Sequence, residues 1–433
     1  MSREFKNSGV PWLKDVPMDW KVERGKNVLV LQKRPVRDND EVVTCFRDGE
    51  VILRRLRRTE GFTMSDKEIG YQGINEGDIV IHGMDGFAGA MGVSKSTGKG
   101  SPVLVVCTPK YDCVPQYIIY YLRALAMTDV FVALATGIRE RSCDLRWNKI
   151  SELEFIIPTA IEQQKIASFL DKKCSEIDEM VVLQEKIIEE LKAYKQSVIT
   201  EAVTKGLNPD VPMKDSGIEW IGEIPESWEK HPFKAFYKTT KGLNITKDNL
   251  VEKGVPVISY GQIHSKLNTG VGVREELIRF VPEYYLESNP ECLSKQYDLF
   301  FADTSEDREG AGNIVFIDTE TPIFAGYHTI IARPLEKVKS KYFAYLIKTD
   351  AWRSQIRNKV QGVKLFSISQ KFINQTYIII PSFQEQQEIA DYLDKKCSEI
   401  DSLISIKQSK IESLKEYKKS IIYEYVTGKK EVI

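Results

Sequence analysis

Apolar residues in the middle of the chain recur at alternating intervals of four and three: Leu170, Cys174, Ile177, Val181, Ile188, Leu191, Val198 and Ala202. A second series keeps the same register with Leu393, Cys397, Ile400, Ile404, Ile411, Leu414, Ile421 and Tyr425. This spacing is the seam of a coiled coil. It predicts two helices of roughly 45 residues, each about 65 to 70 Å long at 1.5 Å rise per residue. Each begins after a proline at a capping box, Thr159-Ala-Ile-Glu162 and Ser382-Phe-Gln-Glu385, in which the hydroxyl accepts from an orphan N–H and the glutamate reaches back. Each ends near a glycine suited to a left-handed cap, Gly206 and Gly428. Gln184 and Lys195, mirrored by Lys407 and Lys418, interrupt the seam at a cost in stability that fixes register.

Outside the seams, short apolar runs such as Val103 to Val106 and Tyr377 to Ile380 alternate with glycine-rich loops and short helical stretches. That mixture predicts globular domains of α/β (α+β) class. The chain divides into a globular domain at 1–157, a long-helix region at 158–206, a second globular domain at 207–380 and a C-terminal long-helix region at 381–433.

The division is also a repeat. Pro158 to Thr204 returns as Pro381 to Thr427 with about half the positions identical, and the octet Asp171-Lys-Lys-Cys-Ser-Glu-Ile-Asp178 returns intact as Asp394 to Asp401. Lys6, Ser8, Gly9, Trp12, Pro17 and Trp20 match Lys214, Ser216, Gly217, Trp220, Pro225 and Trp228. The bodies between are less alike, with Gly77-Asp78 answering Tyr297-Asp298 and Tyr117 to Arg123 answering Tyr342 to Lys348. One architecture therefore carries two different surfaces. Only a short segment follows Gly206 before the second body, so the second helix is expected to run back along the first. An antiparallel pair with pseudo-two-fold symmetry follows, in which Cys174 and Cys397 stand tens of ångströms apart.

The 433 residues include 61 basic and 62 acidic side chains, a formal net charge of −1, which argues against a non-specific polyelectrolyte binder. With 42% hydrophobic residues, wholesale disorder is excluded. No apolar run approaches the ~18 residues of a membrane span, and the start lacks a signal-peptide segment, so a cytoplasmic protein without membrane association is expected. Seven cysteines without a CxxC pair read as buried thiols rather than a disulfide framework or zinc site.

Catalytic constellations fail one by one. Ser94-Lys-Ser-Thr-Gly-Lys-Gly100 resembles a phosphate loop, but its glycine spacing is wrong and Gly100 replaces the magnesium-holding hydroxyl. His82, His231, His264 and His328 are scattered singly, so no metal site is expected. Asn208-Pro209-Asp210 and Asn289-Pro290-Glu291 both depart from an adenine-methyltransferase motif at the third position. Asp171-Lys-Lys and Asp394-Lys-Lys mimic the end of a nuclease motif but read better as a solvated helix face. The sequence reads as a binding protein with no catalytic residue and no cofactor of its own.

The whole chain resembles the DNA-specificity subunit of type I restriction-modification systems. The resemblance is carried by the Ser8-Gly9 to Trp20 and Ser216-Gly217 to Trp228 openings, by PTAIEQQKIA at Pro158 to Ala167 with its twin PSFQEQQEIA at Pro381 to Ala390, and by the closing Glu201-Ala-Val-Thr204 and Glu424-Tyr-Val-Thr427. The first copy ends Thr204-Lys205-Gly206 where the second has Thr427-Gly428, which shifts a helix end. The resemblance implies two target-recognition domains, each reading half of a bipartite site on double-stranded DNA, with the helix pair as ruler. It implies two methyltransferase subunits docked on the helical regions and added motor-nuclease subunits. S-adenosylmethionine, ATP and magnesium would be used by those partner subunits. The competing reading is a duplicated coiled-coil scaffold for protein partners that does not bind DNA.

Candidate DNA contacts follow from residue type. In the first body, Arg54-Arg55-Leu56-Arg57-Arg58 is the densest basic run, and arginine both reads guanine and binds phosphate; a solvated strand or turn is the alternative. Arg139 and Arg141 follow Gly137 in a loop answered by Gly362-Val363-Lys364 in the second body. Lys95 and Lys99, in a Ser/Gly-rich loop, are candidate phosphate contacts, with flexible surface lysine the equal alternative. In the second body the candidates are Lys241, Asn244, Gln262, Arg308 and Lys364, although surface amides are common and usually carry no such role.

Overall fold

The computed structural model describes residues 3–57, 69–110, 112–133, 145–338, 340–360 and 365–432. Two continuous helices dominate it, Ala160–Lys205 of 46 residues and Phe383–Val426 of 44. Both stop where the glycines require: Gly206 and Gly428 adopt φ +77° and +72°. The amino ends differ. In the second helix the full capping box forms, with Glu385 N–H donating to Ser382 Oγ at 3.3 Å and Ser382 N–H donating to Glu385 Oε2 at 3.3 Å. In the first, Glu162 N–H donates to Thr159 Oγ1 at 3.3 Å, but the Glu162 carboxylate is held by Trp20 and Arg3.

The chain separates into two compact units, residues 1–186 with 408–433 and residues 187–407, and each long helix contributes one half to each unit. In the first unit, an antiparallel hairpin of Phe5–Val10 and Leu13–Pro17 leads into Trp20, which is fully buried. Lys21–Arg24 then pairs with Glu154–Ile157, the strand that feeds the long helix. The central sheet has the order Leu29–Leu31, Leu104–Pro109, Ile79–His82, Met91–Val93, all antiparallel. Its strands are short runs of β-branched and other apolar residues, suited to a pleated surface buried on its faces. The helix Pro115–Met127, with proline in its first turn, joins the same core as Ile79, Ile81 and Met91.

The second unit repeats this plan. Its hairpin is Met213–Asp215 with Glu223–Pro225, its buried tryptophan is Trp228, and Glu229–Pro232 pairs with Tyr377–Ile380. The sheet order Tyr237–Lys241, Thr329–Pro334, Leu299–Ala302, Ile314–Phe316 corresponds strand for strand to the first. At the turn before the buried aspartate, Gly77 in the first unit and Tyr297 in the second both adopt a left-handed backbone, φ +87° and +77°. The second unit adds a three-stranded sheet, Arg279–Val281, Val255–Ile258 and Phe324–Ala325, whose last pairing is parallel. Both bodies are therefore α+β, with helices beside largely antiparallel sheets.

The seam is buried as its spacing predicts. Leu170, Cys174, Ile177, Ile188, Val198, Leu393, Cys397, Ile400, Ile411 and Ile421 are buried, while Val181, Leu191, Ile404 and Leu414 are half-buried. In the first unit the helix halves run antiparallel, with Phe169 against Tyr425 at 4.5 Å and Asp178 paired to Lys418. In the second, Lys195 meets Asp401 in the same sense. Gln184 stays buried in the seam with Oε1 unpartnered among the described residues. The cysteines are unbridged among the described residues; Cys113 is half-buried and Cys45, Cys107, Cys174, Cys292 and Cys397 are buried. No helix among the described residues is long and apolar enough to cross a membrane.

Candidate nucleic-acid interface

Each repeated motif turns out to bind a body to the helices. Trp20 Nε1 donates to Glu162 Oε2 at 2.9 Å, and the Arg3 guanidinium lies 2.7 Å from the same carboxylate and 5.1 Å from the indole centroid. Trp228 Nε1 donates to Glu385 Oε1 at 3.1 Å. The terminal glycines complete these joints: a Cβ on Gly428 would lie 3.2 Å from the Trp20 ring, and one on Gly206 would lie 3.3 Å from Trp228.

A second joint lies on the short helices of the bodies. Tyr117 Oη donates to Ile156 O at 2.8 Å and Val426 O at 3.1 Å; Tyr342 Oη lies 2.9 Å from Val203 O and 3.4 Å from Ile379 O. The hydroxyls thus meet backbone carbonyls near the end of one long helix and in the strand before the other. Burial pushes both phenols well above their ordinary range, so they remain donors. Tyr120 and Tyr345 donate to Asp171 and Asp394 at 2.8 and 2.5 Å. The octet is therefore more than a solvated face: its first aspartate holds a body and its last holds the opposite helix.

The basic run of the first body is largely engaged. Arg54 Nε donates to Thr44 Oγ1 at 3.1 Å, and Arg55 Nε pairs with Glu41 at 2.6 Å. Arg57 is clamped between Asp48 and Glu50 and lies 4.3 Å over the Phe46 ring. Its guanidinium holds the Asp48 carboxyl below the usual carboxylate range. Lys95 joins the group through Glu50 at 3.2 Å. Lys99, expected in a loop, lies on the strand Gly98–Gly100 opposite Gly73. The glycines there serve close approach: a Cβ on Gly98 would run into Glu41 O, and one on Gly100 into Ile74. Arg58, Arg139, Arg141 and Lys364 fall outside the described residues.

In the second body, Lys241 ends the edge strand Tyr237–Lys241, and Asn244 is exposed just beyond it. Gln262 Oε1 accepts from Ser259 N–H at 3.1 Å, so this amide caps a short helix. Arg308 Nε donates to Arg357 O at 3.0 Å and its Nη2 to Asn358 Oδ1 at 3.1 Å. The structure thus gathers Arg57 and Lys95 around Glu50 and leaves the second-body candidates dispersed. Sequence reasoning missed the arginines that serve the buried aspartates: Asp78 pairs with Arg34, beyond the strand Leu29–Leu31, and Asp298 with Arg333, on the strand Thr329–Pro334.

The geometry is thus a duplicated α+β body joined to paired long helices through repeated joints, with divergent surfaces. A family model for the type I restriction modification DNA specificity domain matches residues 225–428. The chain is 26% identical over 429 residues to the type I restriction enzyme MjaVIII specificity subunit of Methanocaldococcus jannaschii, covering 96% of this chain and 94% of that one. It is similar in fold, with TM-score 0.72 and 14% identity, to a chain solved in a description of complex assembly and conformational transition of the type I R-M system; 95% of this chain and 99% of that one are covered. The HsdS subunit from Thermoanaerobacter tengcongensis gives TM-score 0.55 and 14% identity over 95% of this chain and 98% of that one. The chain is thus similar over nearly its whole length to specificity subunits of type I restriction-modification systems, and its residues 225–428 match their DNA specificity domain.

Proposed function

We propose that this chain reads a bipartite site on double-stranded DNA, each globular domain recognising one half and the helix pair setting the gap. The observation that carries the reading is the repeated joint: Trp20, Tyr117 and Tyr120 fix the first body to the helices through the same bonds as Trp228, Tyr342 and Tyr345 in the second. A body held this rigidly presents its groove-facing residues in a fixed orientation, which base-edge readout requires. Two methyltransferase subunits dock on the helical regions and carry S-adenosylmethionine; motor-nuclease subunits supply ATP- and magnesium-dependent translocation and cleavage. The complex works in the cytoplasm, where its DNA lies.

The competing reading, a scaffold that does not bind DNA, draws on the neutralisation of Arg55 and Arg57 by Glu41, Asp48 and Glu50. The two separate in one experiment. The chain is coexpressed with its methyltransferase subunit in a methylation-free host, and modified adenines are mapped by single-molecule sequencing. A two-part motif with an unspecified gap, lost when this chain is omitted, is expected. A stable complex with the methyltransferase that modifies nothing would favour the scaffold.

A further inference from the structure

We propose that His328, oriented by Asp303, reads a base edge in the half-site of the second domain; the inference rests on the DNA-reading function above. The two units build the same backbone frame at this place. Gly83 N–H donates to Val103 O at 2.9 Å, and Asp303 N–H to His328 O at 3.0 Å. Leu145 N–H donates to Gly83 O at 2.8 Å, and Ile368 N–H to Asp303 O at 2.7 Å. The flanking register agrees, since Leu104 lies opposite His82 and Thr329 opposite Ala302. On this common frame the first unit carries glycine and valine, the second aspartate and histidine. A position where the backbone repeats and the side-chain chemistry does not is where two otherwise equivalent readers differ in specificity.

The chemistry of the pair selects a base group. His328 Nδ1 lies 3.1 Å from Asp303 Oδ1, and the imidazole is 58% exposed. Asp303 also accepts from Thr304 Oγ1 at 2.8 Å. An ionised carboxylate only accepts, so Nδ1 carries the proton, and in the neutral ring Nε2 offers a lone pair. In the major groove that lone pair matches the exocyclic amines of adenine or cytosine and opposes the acceptor edge of guanine. The ring is steadied by Tyr260 and Tyr327, with centroids at 5.5 and 6.2 Å in edge-to-face geometry. His328 holds φ +55°, a left-handed conformation seldom taken by residues with side chains, and such strain gathers at functional positions.

The test uses the full chain coexpressed with its methyltransferase subunit, with modified motifs mapped for the unaltered protein and for His328→Ala, His328→Gln and Asp303→Asn. Discrimination at one adenine- or cytosine-specifying position in one half-site is expected to fall about tenfold in His328→Ala, with the other half and the gap unchanged. Asp303→Asn, whose amide can donate to Nδ1 and turn Nε2 into a donor, is expected to move the same position toward guanine. His328→Gln keeps a polar tip and covers the case in which the alanine variant misfolds. Unchanged motifs in all three variants, or a uniform loss of modification without positional change, would overturn the inference while leaving the bipartite reading intact. No motif from the unaltered chain would overturn both.

Discussion

Lys418 Nζ lies 2.7 and 2.6 Å from the two carboxylate oxygens of Asp178, a bridge from the second long helix to the first. Its repeat counterpart, Lys195 with Asp401, has both distances at 2.7 Å with the helices exchanged. Lys195 and Lys418, two of the polar residues that interrupt the apolar seam, are thus each answered by the last residue of the octet. Asp178 is 61% exposed, so solvent screens the attraction and the coupling is about 0.2–1 kcal/mol. Lys418→Asp is expected to lower stability by about that amount or somewhat more through like charge, and Asp178→Lys added to it to restore most of the loss. A double-mutant cycle by chemical denaturation checks the pairing; additive losses would contradict it.

The buried phenol of Tyr342 lies within hydrogen-bond reach of two backbone carbonyls, Val203 O and Ile379 O. Tyr342→Phe leaves Val203 O and Ile379 O short of a partner and should cost about 1–2 kcal/mol, with Tyr117→Phe costing a similar amount in the first unit. Denaturant midpoints report this directly. An unchanged midpoint in both variants would mean that the joint adds nothing to stability.

Lys348 gives the second unit a dependence on pH. Burial, with Arg353 and Lys195 nearby, holds its ammonium down from 10.5 to about 7, and Nζ donates to Asn268 Oδ1 at 2.9 Å and to Gly270 O. The unfolded chain binds this proton more tightly, so stability rises as pH climbs from about 7 toward 10.5, and below about 7, where both states are protonated, this group adds no further pH dependence. The gain between pH 7 and pH 9 is expected to be on the order of 1 kcal/mol after discounting for partial exposure. Lys348→Met should flatten the unfolding midpoint across this window. Equal slopes in both proteins would refute the assignment.

Arg55 and Arg57 should part company on substitution. The Arg55 side chain is 61% exposed and held by one glutamate, free to exchange it for a phosphate. Arg55→Ala is expected to weaken all DNA sites alike and reduce the salt slope by about one, with stability unchanged. Arg57, clamped by two carboxylates and an aromatic ring, supports its hairpin, and Arg57→Ala should cost about 1 kcal/mol of stability. Binding measured across a salt series, beside thermal melting, distinguishes the two.

The helices were legible because an apolar seam of period 3.5 has few other meanings and because proline, capping hydroxyl and glycine punctuate the ends. The repeat was equally plain, but its purpose was not. Trp20 and Glu162 stand 142 positions apart, and Tyr120 and Asp171 stand 51 apart, so no local pattern links them. The arginine run around Arg57 looked free for DNA because the acids that neutralise it, Asp48 and Glu50, come from the preceding turn. Lys99 looked like a loop residue because glycine usually marks one; here Gly98 and Gly100 instead let strands approach closely. The Asp303–His328 pair needed the strand register that brings residues 25 positions apart together.

On the function proposed, one chain reads two half-sites at a separation fixed by its helices. The most direct test adds a matched heptad to both long helices and maps the modified motif of the resulting complex. Both half-sites unchanged, with a longer unspecified gap between them, is the predicted result. A gap of the original length, or an altered half-site, would contradict it.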